Sequence, residues 1–240
     1  LGTPTYAVPP GRARLYPEIA GERATGRPIP WGARQEVDFT HPAFRFHAER
    51  ITRRIVGRYA GHPSVIGFQV DNEPGLELLH NRGIFESFVD HLRRTYGDVE
   101  TLNQEWGLVY WSHRLSTWAD LWTPDGNAQP QYDVAWREFQ ARQVTDFIGW
   151  QADIVREYAR PEQFVTTCIA YDRPAFDEVD RHLPLDARHP DQLGAPRQAL
   201  LLVEHELAGP GVGGEPRRDV LDPVRRVAQD GADIADLLVT

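Results

Sequence analysis

The sequence predicts an α/β fold built on a parallel sheet, and three observations carry that expectation. Two short, nearly continuous apolar runs, at residues 65–70 and 164–170, read as strands buried on both faces, as in parallel sheets. Stretches of helical periodicity precede and separate them, giving the helix–strand rhythm of α/β domains. The 240 residues are enough for one large domain or one α/β barrel.

The elements follow in order. Residues 1–41 are rich in Pro and Gly and read as a long loop with short ordered pieces. Within them Gly2-Thr3-Pro4-Thr5 reads as the end of a strand leaving the core. A helix is expected over 42–60, with Pro42 suited to its first position, a stripe of Phe44, Ala48, Ile51, Ile55 and Tyr59, and Gly61 as its stop. The first strand, 65–70, follows a turn at His62-Pro63. A helix over 83–96 aligns Ile84, Phe88, Leu92 and Tyr96 on one face. Short helices are expected near 99–106 and 116–122, the second capped by Ser116, and a long one over 131–159 aligns Phe147, Trp150, Ile154 and Tyr158. The second strand is expected at 164–170.

The character of the chain then changes. Every Phe, Tyr and Trp lies in positions 1–176, and the last 64 residues have none. The chain divides into residues 1–176 and an aromatic-free tail, 177–240, which is either a separate segment or a stretch of shifted reading frame in a GC-rich gene.

Composition excludes several roles. The net charge is −9, all basic residues are arginine, and an acidic chain is a poor nucleic-acid binder. No apolar run approaches the roughly 18 residues of a membrane span. A single cysteine, Cys168, leaves no internal disulfide framework and no cysteine-based zinc site, which fits a cytoplasmic location. Methionine is absent and position 1 is Leu, so position 1 reads as a cut inside a longer protein.

The chemistry concentrates at the end of the first strand, in Asp71-Asn72-Glu73-Pro74-Gly75. In parallel barrels catalytic groups sit at the C-terminal ends of strands. Cleaving a glycosidic bond requires a proton on the leaving oxygen, which a glutamic acid can supply and, in a retaining mechanism, later reclaim from water. A second carboxylate about 5 Å away serves as nucleophile. Asn72 offers an amide for a sugar hydroxyl, and Tyr171, at the end of the second strand, is a candidate for a sugar subsite. The aromatics Trp106, Tyr110, Trp111, Trp118 and Trp122 form either a sugar platform or core. Asp125-Gly126-Asn127 lacks the rest of a calcium loop and reads as a polar turn. The nine histidines show no ligand spacing and read as surface or hydrogen-bonded residues, and no cofactor is expected.

His62-Pro63-Ser64-Val65-Ile66-Gly67-Phe68-Gln69-Val70-Asp71-Asn72-Glu73 resembles the fourth-strand signature of the glycosidase clan that includes family 42 β-galactosidases. Leu1-Gly2-Thr3-Pro4-Thr5 looks like the end of that family's third strand. Tyr16-Pro17-Glu18 and Trp31-Gly32-Ala33-Arg34 look like the loop after it. Tyr96-Gly97, Leu102-Asn103, Trp106-Gly107, Tyr110-Trp111-Ser112 and Trp118 match the segment after the acid/base, and Phe164-Val165-Thr166-Thr167 the fifth strand.

The resemblance covers residues 1–176. It implies a fragment of a (β/α)8 TIM barrel, from the end of strand 3 through about strand 5, followed by an atypical C-terminal tail. It implies Glu73 as general acid/base, Asn72 as the substrate-binding amide, β-galactosides as substrate and a homotrimeric parent. The departures are a missing Trp after Pro9-Pro10, no cysteine cluster for zinc, so that no metal is expected, and no seventh-strand nucleophile. Glu204, after the run 199–203, is the tail's candidate for that role and is read as a solvated carboxylate. The competing expectations are an endo-acting mannanase or glucanase of the same clan, and a catalytically dead, sugar-binding or functionless fragment.

Overall fold

The computed structural model describes Thr5 and residues 8–34, 37–124, 129–168 and 174–175. All of these lie in the first of two units into which the chain divides, Leu1–Arg188.

The elements are α1 (Pro10–Leu15), α2 (Pro42–Tyr59), β1 (Gly67–Asn72), α3 (Arg82–Tyr96), α4 (Val99–Glu105), α5 (Pro130–Arg156) and β2 (Phe164–Cys168), with single 3-10 turns at Pro17–Ile19 and Trp118–Asp120. β1 and β2 are parallel neighbours, and the chain between them is helical, as the α/β reading requires.

Helix α2 begins at Pro42, whose missing N–H costs nothing in a first turn, and His41 Nδ1 accepts the Ala43 N–H at 3.2 Å. Its buried face is Phe44, Ala48 and Val56, while Ile51, Ile55 and Tyr59 of the expected stripe are half-buried. Gly61 is not the stop that was expected, since it does not adopt a left-handed conformation. The turn that follows is closed instead from a distant segment. Arg160 donates to the carbonyls of Ala60, His62 and Val65, and Gln163 Nε2 donates to Ala60 at 3.1 Å and Val65 at 2.7 Å.

Strand β1 starts and ends two residues later than the apolar run suggested, and Ile66 is 71% exposed. Pairing begins at Gly67 opposite Phe164, where a Cβ would lie 2.7 Å from the Phe164 ring and carbonyl oxygen, so only glycine lets the strands approach. Burial is on one face rather than two. Phe68 and Val70 enter a core with Val56 of α2, Val144, Ile148 and Val155 of α5, and Val165 of β2. Gly67 and Gln69 take the half-buried face.

Helix α3 buries Ile84, Phe88 and Leu92 as its periodicity predicts, and Gly97 at φ 76° ends it. Asp98 caps α4 by accepting the Thr101 N–H at 2.8 Å. The 3-10 turn is capped by Thr117, one residue beyond Ser116, because Asp120 reaches back to the N–H groups of both. Helix α5 unites the cores. Tyr132, Trp136 and Phe139 pack with Phe88, Leu102 and Trp106, and further along Val144, Ile148 and Val155 back the strands. Among the described residues no helix is long and apolar enough to cross a membrane.

Candidate active site

The C-terminal end of β1 is irregular in a specific way. Gln69 pairs with Thr166, but Asn72 pairs with Cys168, so β1 spends one residue more than β2 over the same span. This is a β-bulge, and Asp71 within it has φ 52°. Strict alternation would set Asn72 on the core face with Phe68 and Val70. The extra residue reverses that parity. Asp71 is buried, at 2% exposure, and Asn72 shares the face of Gln69, whose Nε2 donates to Asn72 Oδ1 at 3.1 Å and to the Asp71 carbonyl at 3.0 Å.

Glu73 follows with φ 45°, a second left-handed non-glycine residue. Its N–H donates to the Cys168 carbonyl at 3.0 Å, tying the turn to the end of β2. Its carboxylate is 29% exposed, and Arg34 Nη1 stands 3.4 Å from Oε2. A half-buried carboxyl on a strand end, beside a guanidinium and an oriented amide, suits proton exchange with an oxygen of a bound polyol.

The Asp71 carboxylate is occupied inside the protein. Oδ1 accepts from the Thr5 hydroxyl at 2.7 Å and from the Asn72 N–H at 2.7 Å, and Gln151 Nε2 lies 3.5 Å from Oδ2. Phe39, Leu79, Val144 and Phe147 line a small cavity next to it, together with Thr5.

The segment after Glu73 is pinned at several points. Gln140 accepts the Leu79 N–H at 3.0 Å and donates to the Leu79 carbonyl at 2.6 Å. Asn81 bridges the Ala20 carbonyl and the Glu22 N–H, each at 2.8 Å. Arg23 pairs with both oxygens of Glu77 at 3.0 Å.

Among the proposed aromatics, Trp106 is core and donates its indole N–H to Tyr96 Oη at 2.9 Å. Trp118 and Trp122 pack against the same core. Tyr110 and Trp111 are 44% and 76% exposed on a turn whose Trp111 and Ser112 have φ of 51° and 58°. Cys168, the last residue of β2, is half-buried. Tyr171, Glu204 and Asp125-Gly126-Asn127 lie outside the described residues. Among the described residues no group of three or more His, Cys, Asp or Glu side chains could hold a metal ion.

The strand-end position singles out Asn72 and Glu73 in the sequence, and Arg34 enters there only as part of a motif. Nothing there marks Asp71 as a buried acceptor, or the amides Gln140 and Asn81. Polar side chains in helical stretches carry no sign of a partner some 60 residues away.

Residues 1–198 match the sequence profile of glycoside hydrolase family 42, described as β-galactosidase. The chain belongs to that family. A β-galactosidase of Thermus thermophilus is 34% identical to the family 42 chain over 172 residues, 69% of this chain and 26% of that protein. The solved β-galactosidase of Halorubrum lacusprofundi superimposes with a TM-score of 0.69 at 29% identity, over 76% of this chain and 28% of its own. Gan42B, a family 42 β-galactosidase, gives a TM-score of 0.65 at 28% identity, over 70% and 25%. The family 42 chain thus spans between 25% and 28% of the length of these relatives.

Proposed function

We propose that this chain carries the acid/base half of a retaining β-galactosidase site, on the fourth and fifth strands of a (β/α)8 barrel. Glu73 protonates the glycosidic oxygen as the bond to galactose breaks, then takes a proton from the water that releases the sugar. Asn72 binds a hydroxyl of the galactosyl ring, and Arg34 lends positive charge beside the Glu73 carboxylate. Tyr171, three residues beyond β2 in sequence, contributes a sugar subsite. The observation that carries this reading is the bulged end of β1, which brings Asn72 onto the face of Gln69 and leaves Glu73 partly exposed beside Arg34.

A specific observation favours a second statement about the isolated polypeptide. The resemblance puts the nucleophile on a seventh strand, whereas the two strands among the described residues are β1, which leads into Glu73, and β2, which ends on Cys168. The chain on its own is therefore expected not to turn over galactosides.

The test replaces the corresponding segment of the Thermus thermophilus enzyme with residues 1–176 of this chain. The hybrid should hydrolyse 4-nitrophenyl β-galactoside and leave polymeric mannan intact, while the isolated chain does neither. Mannan cleavage without galactoside cleavage would replace the substrate assignment with an endo-mannanase.

A further inference from the structure

The carboxylate nearest to Glu73 in sequence is one the proposed chemistry does not use. Asp71 is buried, lies beside an apolar-lined cavity and sits in the left-handed region at φ 52°. Burying a carboxylate is unfavourable unless hydrogen bonds replace its water. Here the replacement is directional. The Thr5 hydroxyl and the Asn72 backbone N–H converge on Oδ1, each at 2.7 Å, the short range of charge-assisted bonds. The bond to Asn72 spans one peptide unit, so it restrains the backbone at the bulge itself. The Gln69 amide closes the other side by donating to the Asp71 carbonyl and to Asn72 Oδ1. Without such restraints a non-glycine residue at φ 52° relaxes toward extended backbone. Relaxation restores strict alternation and turns Asn72 toward the core.

We propose that Asp71 is a positioning residue: its buried carboxylate, held by Thr5 and the Asn72 amide, maintains the bulge from which Asn72 and Glu73 project. The inference rests on the reading of Glu73 as the acid/base for its catalytic meaning, and on the bulge for its structural one. Those two parts separate in the test.

Amide hydrogen exchange on the full 240-residue chain reads the structural part. In Asp71→Ala the Asn72 and Glu73 amides should exchange about tenfold faster or more, the effect of losing one such hydrogen bond. Leu92 in α3 and Ala152 in α5 should stay within about threefold of the parent. Asp71→Asn keeps an acceptor oxygen for Thr5 and Asn72 and should recover most of the protection. Thr5→Val, a milder change, should accelerate Asn72 alone by a smaller factor and serves if Asp71→Ala does not fold. In the hybrid enzyme Asp71→Ala should lower kcat by about tenfold to a hundredfold with KM nearly unchanged, and Asp71→Asn should restore most of it.

Unchanged exchange at Asn72 and Glu73, or equal acceleration at all four amides, overturns the proposal. If exchange follows Asp71 while Glu73→Gln leaves hydrolysis intact, the bulge is held as inferred and the acid/base reading alone fails.

Discussion

Replacing Gln140 by leucine keeps the volume of the side chain and removes both of its bonds to Leu79. Gln140 is 3% exposed and Leu79 4%, so water does not substitute. The Leu79 N–H and carbonyl, now bonded at 3.0 and 2.6 Å, are both orphaned. Each buried unpaired backbone group costs about 1–3 kcal/mol, so the pair costs about 2–6 kcal/mol, less a small gain from the added apolar surface. A loss near 3 kcal/mol lowers the melting temperature of a chain this size by about 6–12 °C. Calorimetry and urea unfolding measure the global effect, and amide exchange at Leu79 measures the local one. The reasoning also predicts weaker holding of the segment between Glu73 and α3. A fall in melting temperature below about 2 °C, together with undiminished protection at Leu79, would show that the loop is held by something else.

Three further outcomes follow. Gly67→Ala forces a Cβ against the Phe164 carbonyl and ring at 2.7 Å and should cost about 1–3 kcal/mol, whereas Gly83→Ala, with nothing within 4 Å, should leave the melting temperature level or slightly raised. Gln163→Leu removes donors from the Ala60 and Val65 carbonyls and should destabilise by about 1–3 kcal/mol in urea titrations, with Arg160 supplying partial relief. Burial first, then the nearby Arg12 and Arg50, holds the His47 imidazole below its usual pKa of 6.5. The unfolded chain then binds more protons in the window just below 6.5, so stability falls as the pH drops through it, and His47→Gln should flatten that slope in melting curves taken between pH 7 and 5.

How much of this was legible in the sequence depended on the range of the interaction. The spacing of Ile84, Phe88 and Leu92 announced α3 because a helix's buried stripe is a local property. Pro42 marked a terminus for the same reason. The Asn72-Glu73 strand end was legible from its position after an apolar run. The bulge was not, since register belongs to two strands and Cys168 lies 96 residues beyond Asn72. Gly61 looked like a helix stop, but Arg160 and Gln163 satisfy those carbonyls from about 100 residues away. Gln140 and Asn103 show nothing in the local sequence beyond a polar amide. Each instead pairs with the N–H and carbonyl of a single leucine, Leu79 and Leu115, in the manner of a strand partner.

The central claim is that Glu73 is the proton donor, and leaving-group dependence in the hybrid enzyme tests it most directly. Glu73→Gln should reduce hydrolysis of methyl or alkyl β-galactosides by about 10²–10⁴-fold, because their alkoxides need a proton. Hydrolysis of 2,4-dinitrophenyl β-galactoside, whose phenolate leaves unaided, should fall far less in its first step, and azide should intercept the intermediate as β-galactosyl azide. Equal loss across all leaving groups, with no azide product, would contradict the assignment and point to a nucleophilic or structural role for Glu73.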